Sequence, residues 1–176
     1  MVEFLEQRGI AGASVLEVGG GVGDIQLELL RRGAARAVNL ELSPAYEAEA
    51  EALLRAAGLE ERVERRLHDI AVDPGGVDAA DVVVLHRVVC CYPDYERLLA
   101  TAADHARRLL VLSYPSDNAV ARLAIAAENL TFRLRRMRFR AFAHPPARML
   151  AVLGDRGLHP TLVHRGVGWQ VAGLER

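Results

Sequence analysis

From Asp81 to His86 the chain reads DVVVLH. This run is apolar on both of its alternating faces, and a strand of that kind is stable only where both faces are covered. The rest of the chain supplies the cover. Short apolar runs at Ser14–Val18, Ala37–Glu41, Val63–His68, Asp81–His86, Leu109–Tyr114, Pro160–His164 and Trp169–Leu174 alternate with segments of helical spacing. Those segments are Val22–Arg32, Pro44–Ala57, Pro93–Arg107 and Asn118–Leu134. In the first of them Ile25, Leu27, Leu29 and Leu30 mark the apolar face. Strand, helix, strand, repeated, predicts an α/β protein built on a doubly wound, mostly parallel sheet of seven strands. The last two strands are joined by HRGVGW, which is too short for a crossover helix, so the final strand is expected to run antiparallel.

A chain of 176 residues suits one domain spanning 1–176. A basic insert at about 115–150 is expected after the fifth strand. The formal charge of −1 does not suit neutralisation of a phosphate polymer. All 22 basic residues are arginine, which excludes chemistry through a lysine Schiff base. Cys90 and Cys91 are adjacent, where a disulfide would be badly strained, and this fits a reducing cytoplasm. No apolar stretch approaches the ~20 residues of a membrane-spanning helix. The opening MVEFLEQRGI is charged, lacks a cleavage signature and resembles the last two turns of a helix.

The first strand runs into VLEVGGGVGDIQ, Val15 to Gln26, with four glycines in five positions. Such a turn lets a ligand approach the backbone, and the amides at the helix start favour negative groups. The dinucleotide fingerprint GxGxxG/A does not fit. Counted from Gly19, its third small residue falls on Asp24, whose charge would face the pyrophosphate.

The spacing that fits is E-x-G-x-G-x-G, carried by Glu17, Gly19, Gly21 and Gly23, with Gly20 between them. In this the chain resembles the class I S-adenosylmethionine-dependent methyltransferases of small-molecule type. The resemblance continues through NLELSP, LHDI, DVVVLHRVV and VLSYP, and so covers nearly the whole chain. It implies a Rossmann-like fold and S-adenosyl-L-methionine as cofactor. It also implies ribose contacts from Glu41 with Leu42 beside it, adenine contacts from Asp69 and Ile70, and His86 near the methionine end. The physical logic agrees, because a sulfonium cofactor without phosphate tolerates acids that a pyrophosphate site rejects. A carboxylate such as Glu41 can accept from both ribose hydroxyls.

At the end of the fourth strand the sequence is LHRVVCCYPD. It lacks the Asp/Asn-Pro-Pro-Tyr pattern of amino-group methylation and the Pro-Cys nucleophile of cytosine methylation, so no nucleic-acid partner is expected. The expected acceptor is a small molecule, with O-methylation the favoured outcome. His86 is the candidate catalytic residue, since imidazole takes a proton near neutral pH; the alternative is that it only packs against the cofactor. Tyr92 and His144 are further candidates for the substrate side. No metal is expected, because His86, Cys90 and Cys91 lack a fourth ligand.

The stretch NLTFRLRRMRFRAFAHPP holds five arginines between positions 133 and 140, and no acid occurs from Asn129 to Gly154. One reading is a cationic lid in which Arg135 and Arg136 hold an anionic acceptor. Another is a solvated helix face, and a less favoured third is contact with an anionic membrane surface. A homodimer is compatible with all of these. Only eight residues precede Gly9, so the cover over the site is expected from a longer form of the chain or from a partner subunit. The rival to an enzyme is a non-catalytic, cofactor-binding subunit.

Overall fold

The computed structural model describes residues 1–137 and 139–176; Arg138 of the basic stretch lies outside them. Seven strands form one sheet: β1 (Ser14–Val18), β2 (Arg36–Glu41), β3 (Val63–Leu67), β4 (Ala80–Leu85), β5 (Ala106–Pro115), β6 (His159–Arg165) and β7 (Trp169–Glu175). The helices are α1 (Val2–Gln7), α2 (Asp24–Arg31), α3 (Glu47–Ala57), α4 (Tyr95–His105), α5 (Ala119–Leu134) and α6 (Pro146–Gly154).

The sheet order is β3-β2-β1-β4-β5-β7-β6. Every pairing from β3 to β5 is parallel, while β7 is antiparallel to both of its neighbours. The fold is therefore the Rossmann-like, doubly wound one, with the last strand reversed as the short HRGVGW link requires. The order turns between β1 and β4, and ligands of open α/β sheets bind at the carboxyl ends of strands at such a switch.

The run DVVVL lies at the centre and divides its side chains as its composition demands. Val83 and Leu85 enter one core with Leu98, Leu99 and Ala102 of α4 and Met149 and Leu153 of α6. Val82 and Val84 enter the other with Phe4 and Leu5 of α1 and Leu29 and Leu30 of α2. At the far side of the second core the ring of Phe4 lies flat against Gly173 of β7, where a Cβ would collide with it. Arg8 pairs with Glu175, fixing α1 to the same strand.

Several boundaries differ from the sequence expectation, each for a local reason. The first predicted helix starts at Asp24 because Gly23 caps it in a left-handed conformation. The second splits into a tight turn at Pro44–Tyr46 and α3. Strand β5 begins at Ala106, three residues before the apolar run, because Ala106 pairs with Ala80 of β4. Helix α6 was not expected. It is short, opens on Pro146 and carries only Met149 and Leu153 into the core.

Helix α5 behaves differently from the others. None of its residues is buried, and Val120, Leu123, Leu130 and Leu134 are exposed. It is tied down at Asn129, whose amide accepts from Ala141 N–H and donates to Ala141 O, both at 2.8 Å. Phe142 N–H in turn donates to Cys90 O at 2.7 Å, joining this segment to the end of β4. The helix ends with Arg136 at φ 56, with bonds from Arg136 N–H to Arg133 O and from Met137 N–H to Phe132 O. This closing geometry normally favours glycine.

Candidate active site

The glycine turn leaves β1 at Val18 and reaches α2 at Asp24. Gly19 stands at φ 65, and a side chain there would run into Val88 at the end of β4. Gly21, at φ 55, has nothing within 4 Å of a built Cβ, so it faces open space. Both ends of its residue are held. Gly21 N–H donates to Glu41 Oε2 at 2.8 Å, and Gly21 O accepts from Arg65 Nη2 at 2.8 Å. Arg65 is itself paired with Glu47 at 2.8 Å. Glu41 Oε1 also accepts from Leu42 N–H at 2.7 Å and Ser43 N–H at 2.9 Å. Three amides thus occupy most of a carboxylate's accepting positions, leaving room for about one further donor.

Beneath the turn lies a buried polar layer. Glu17 is 1% exposed and accepts from Gln26 N–H at 3.2 Å. Gln26 and Asn39 are buried beside it, and their side-chain amides have no partner among the described residues. Burial pushes the Glu17 carboxyl up to about 8, against the lowering effect of Gln26 N–H. Glu17 is therefore protonated at neutral pH.

Above the turn, a cavity of 700 Å³ is walled by Gly19, Gly20, Gly21, Glu41, Leu42 and His86, with Tyr46, Arg87 and Tyr92 around them. His86 Nδ1 lies 3.0 Å from Ser113 Oγ, which accepts Arg87 N–H at 3.0 Å. Its Nε2 has no partner among the described residues. Burial, then the charge of Arg87, lowers the pKa of His86, so the ring is neutral at neutral pH. Tyr92 OH donates to Asp69 at 3.0 Å, and burial raises its pKa to about 12.

A second, largely apolar cleft of 1030 Å³ opens beside the first, between α5 and the turn before β7. The two share Arg87, Cys91 and Phe139 as wall residues. Among the described residues no group of three His, Cys, Asp or Glu side chains converges as a metal site. No described helix is long and apolar enough to cross a membrane.

A family model described as a methyltransferase domain matches residues 1–158. The chain belongs to this methyltransferase family. It is an enzyme of the S-adenosylmethionine-dependent class. The structure resembles magnesium protoporphyrin IX methyltransferase from Synechocystis with bound S-adenosylhomocysteine, at TM-score 0.79 and 21% identity over 99% of this chain and 79% of that one. It also resembles an O-methyltransferase family protein from Burkholderia thailandensis, at TM-score 0.77 and 23% identity, covering 100% and 55%. A third likeness is to 1,6-didemethyltoxoflavin-N1-methyltransferase from Burkholderia thailandensis, at TM-score 0.73 and 16% identity, covering 99% and 76%. No curated protein sequence matches the chain.

The methyltransferase's own residues fit the cofactor. Gly21 leaves open the place a side chain would fill, and Asp24 and Glu41 put two carboxylates on the cavity wall, a donor set compatible with a cofactor that carries a sulfonium and a ribose and no phosphate. The structure brings Gly19, Gly20, Gly21, Glu41, Leu42, His86 and Tyr92 to one cavity. It places the other expected residues elsewhere. Glu17 supports the turn from below, Gly23 caps α2, and Ile70 is 1% exposed in the core. Asp69 backs the cavity through Tyr92 and caps Ala71 N–H at 3.0 Å. His144 lies between the rings of Tyr95 and Phe142, with Nε2 3.0 Å from Tyr92 O. Arg135 and Arg136 are exposed, and Arg136 lines a separate cavity with Arg133 and Arg140 on the other side of α5.

Sequence reasoning missed Arg65, Arg87, Ser113 and Trp169. Only Arg87, next to His86 in LHRVV, carried a sequence signal. Glu41→Ala is expected to weaken S-adenosylhomocysteine binding by about 2–4 kcal/mol, since charge-assisted bonds to both the ligand and the turn are lost. Calorimetric titration of the folded variant checks this; unchanged affinity would leave Glu41 as a tie for the turn alone.

Proposed function

We propose that this methyltransferase transfers a methyl group to an oxygen of a small-molecule acceptor lying in the apolar cleft beside the cofactor cavity. The observation that supports it most is the shared wall. Arg87, Cys91 and Phe139 border both spaces, so an acceptor in one reaches into the other. The neighbours' names include O-methyltransferase family proteins and an N1-methyltransferase, and the LHRVVCCYPD sequence favours oxygen.

The bound cofactor supplies an activated methyl group on a sulfonium leaving group. What remains for the chain is alignment, exclusion of water and handling of one proton. Gly21, Glu41 and Leu42 hold the cofactor end. His86 faces the cavity neutral, with Nδ1 engaged by Ser113, and takes the acceptor hydroxyl's proton at Nε2. Because its pKa lies below imidazole's ordinary 6.5, kcat/KM is expected to stay level at neutral pH and to fall only below that value. His86→Ala should remove this acid limb and lower kcat by about 100-fold. A profile identical in the variant would assign His86 to packing.

The test of the reading is release of S-adenosylhomocysteine on mixing the chain and S-adenosylmethionine with hydroxylated aromatic acceptors. A second reading, a non-catalytic subunit, draws on α5, whose apolar residues are uncovered. Tight cofactor binding without release from any acceptor would favour it.

A further inference from the structure

The residue after His86 is built at a cost. Arg87 has φ 57, a left-handed conformation that L side chains rarely adopt and that costs about 1–2 kcal/mol in a non-glycine residue. Such strain persists where the surroundings enforce it, and it gathers at functional sites. Here Ser113 Oγ enforces it by accepting Arg87 N–H. The guanidinium lies 4.9 Å from the centre of the Trp169 ring. It makes no ion pair and no side-chain hydrogen bond among the described residues, although Arg8, Arg32, Arg65, Arg66, Arg122 and Arg156 all do.

Arg87 is also the only cation among the described residues that line the apolar cleft. Among the described residues its charged neighbour on that wall is Glu128 of α5. A planar fork of free donors on the wall of an apolar space, where it meets the cofactor cavity, matches a two-oxygen anion at the tip of an apolar molecule. A doubly charged phosphate is disfavoured, because Glu128 lines the same cleft and Asp24 and Glu41 line the cavity that shares Arg87 as a wall.

We propose that Arg87, stacked on Trp169, anchors an acceptor that is an apolar carboxylic acid, with the carboxylate on the guanidinium and the hydrocarbon body along α5. This rests on the acceptor lying in the cleft, as argued above. The anchored carboxylate is not the oxygen methylated. Pairing with the guanidinium stabilises the carboxylate's negative charge and lowers its nucleophilicity, so the reacting oxygen is a separate group beside His86. The expected anionic acceptor is thus served by Arg87, and Arg135, Arg136 and Arg140 are left as a surface.

Trp169 is the sole tryptophan of the chain, so energy transfer from its emission reports occupancy of this place without turnover. The probes are pyrenecarboxylate and its neutral isostere pyrenecarboxamide, titrated into the whole chain with S-adenosylhomocysteine absent and then present. The carboxylate is expected to bind about tenfold or more tighter than the carboxamide. Arg87→Gln should bring it down to the carboxamide's affinity while leaving the latter unchanged. Arg87→Lys keeps the charge without the fork and should retain part of the preference; it decides the matter if the glutamine variant does not fold. Equal affinity of the two probes for the wild-type chain, or a preference that survives in Arg87→Gln, overturns the proposal. A chain that passes this titration yet releases no S-adenosylhomocysteine with any acceptor would sink the methyl-transfer reading and keep the anchor.

Discussion

Replacing Gly21 with valine is expected to leave the chain folded and to abolish S-adenosylmethionine binding. The protein itself has room for the new side chain, because nothing lies within 4 Å of a built Cβ. The room is the cofactor cavity. Overpacking a ligand-filled space costs about 1–3 kcal/mol, up to ~100-fold in Kd. The β-branched residue adds to this at φ 55, where it either strains the turn or withdraws Gly21 N–H from Glu41. Gly21→Ala, smaller and unbranched, should lose less. Calorimetry with the cofactor reads the affinity, and thermal unfolding shows that the fold survives. Gly20 supplies the contrast, since a Cβ there meets Asn39 and Glu17. Gly20→Ala should therefore cost stability first. A Gly21→Val chain that binds normally would make the turn a structural bend and no more.

The second large effect concerns Glu17 and pH. Its carboxyl is held near 8 in the folded chain against an ordinary 4.5, chiefly by burial. The folded state therefore binds a proton that the unfolded state has already released. The stability tied to that proton is fully present below 4.5 and is lost as pH rises through 8, a span worth roughly 3–5 kcal/mol. Glu17→Gln keeps an oxygen to accept Gln26 N–H and has no proton to lose. Urea unfolding at pH 5 and pH 8 should show the wild-type chain losing several kcal/mol more than the variant. The variant should be the more stable of the two at pH 8. Parallel losses would mean that Glu17 titrates as an ordinary, solvated acid.

The sequence alone allowed the sheet to be traced because a buried parallel strand cannot hide its composition. DVVVL could lie nowhere but the centre, and HRGVGW could not reach across a helix. The glycine turn was legible for the same kind of reason, since Gly19 and Gly21 stand in left-handed conformations that favour glycine and a Cβ at Gly19 would meet Val88. What clamps the turn was not. Arg65 reaches Gly21 O only because β3 pairs with β2, and Ser113 reaches His86 only because β5 lies beside β4. Register across a sheet sets both contacts, and no spacing within one segment records it. The basic stretch shows the limit from the other side. Five arginines announce a charge, but that Arg133, Arg136 and Arg140 gather at one flank of α5 depends on the Asn129–Ala141 bonds. Among the described residues the arginine that meets the cleft is Arg87, which stands outside that stretch in LHRVVCC.

The contact between Phe4 and Gly173 sets an order of events during synthesis. Helix α1 is made before every strand of the sheet, yet the surface against its aromatic ring belongs to β7, made after the other six. Until β7 enters between β5 and β6, the β5 edge is open, and Phe4 and Arg8 lack their partners. Contacts this distant in sequence form late and fold slowly. Until β7 is made, the nascent chain therefore carries an incompletely covered Phe4 and an unpaired sheet edge. That is the interval in which a chaperone has something to hold.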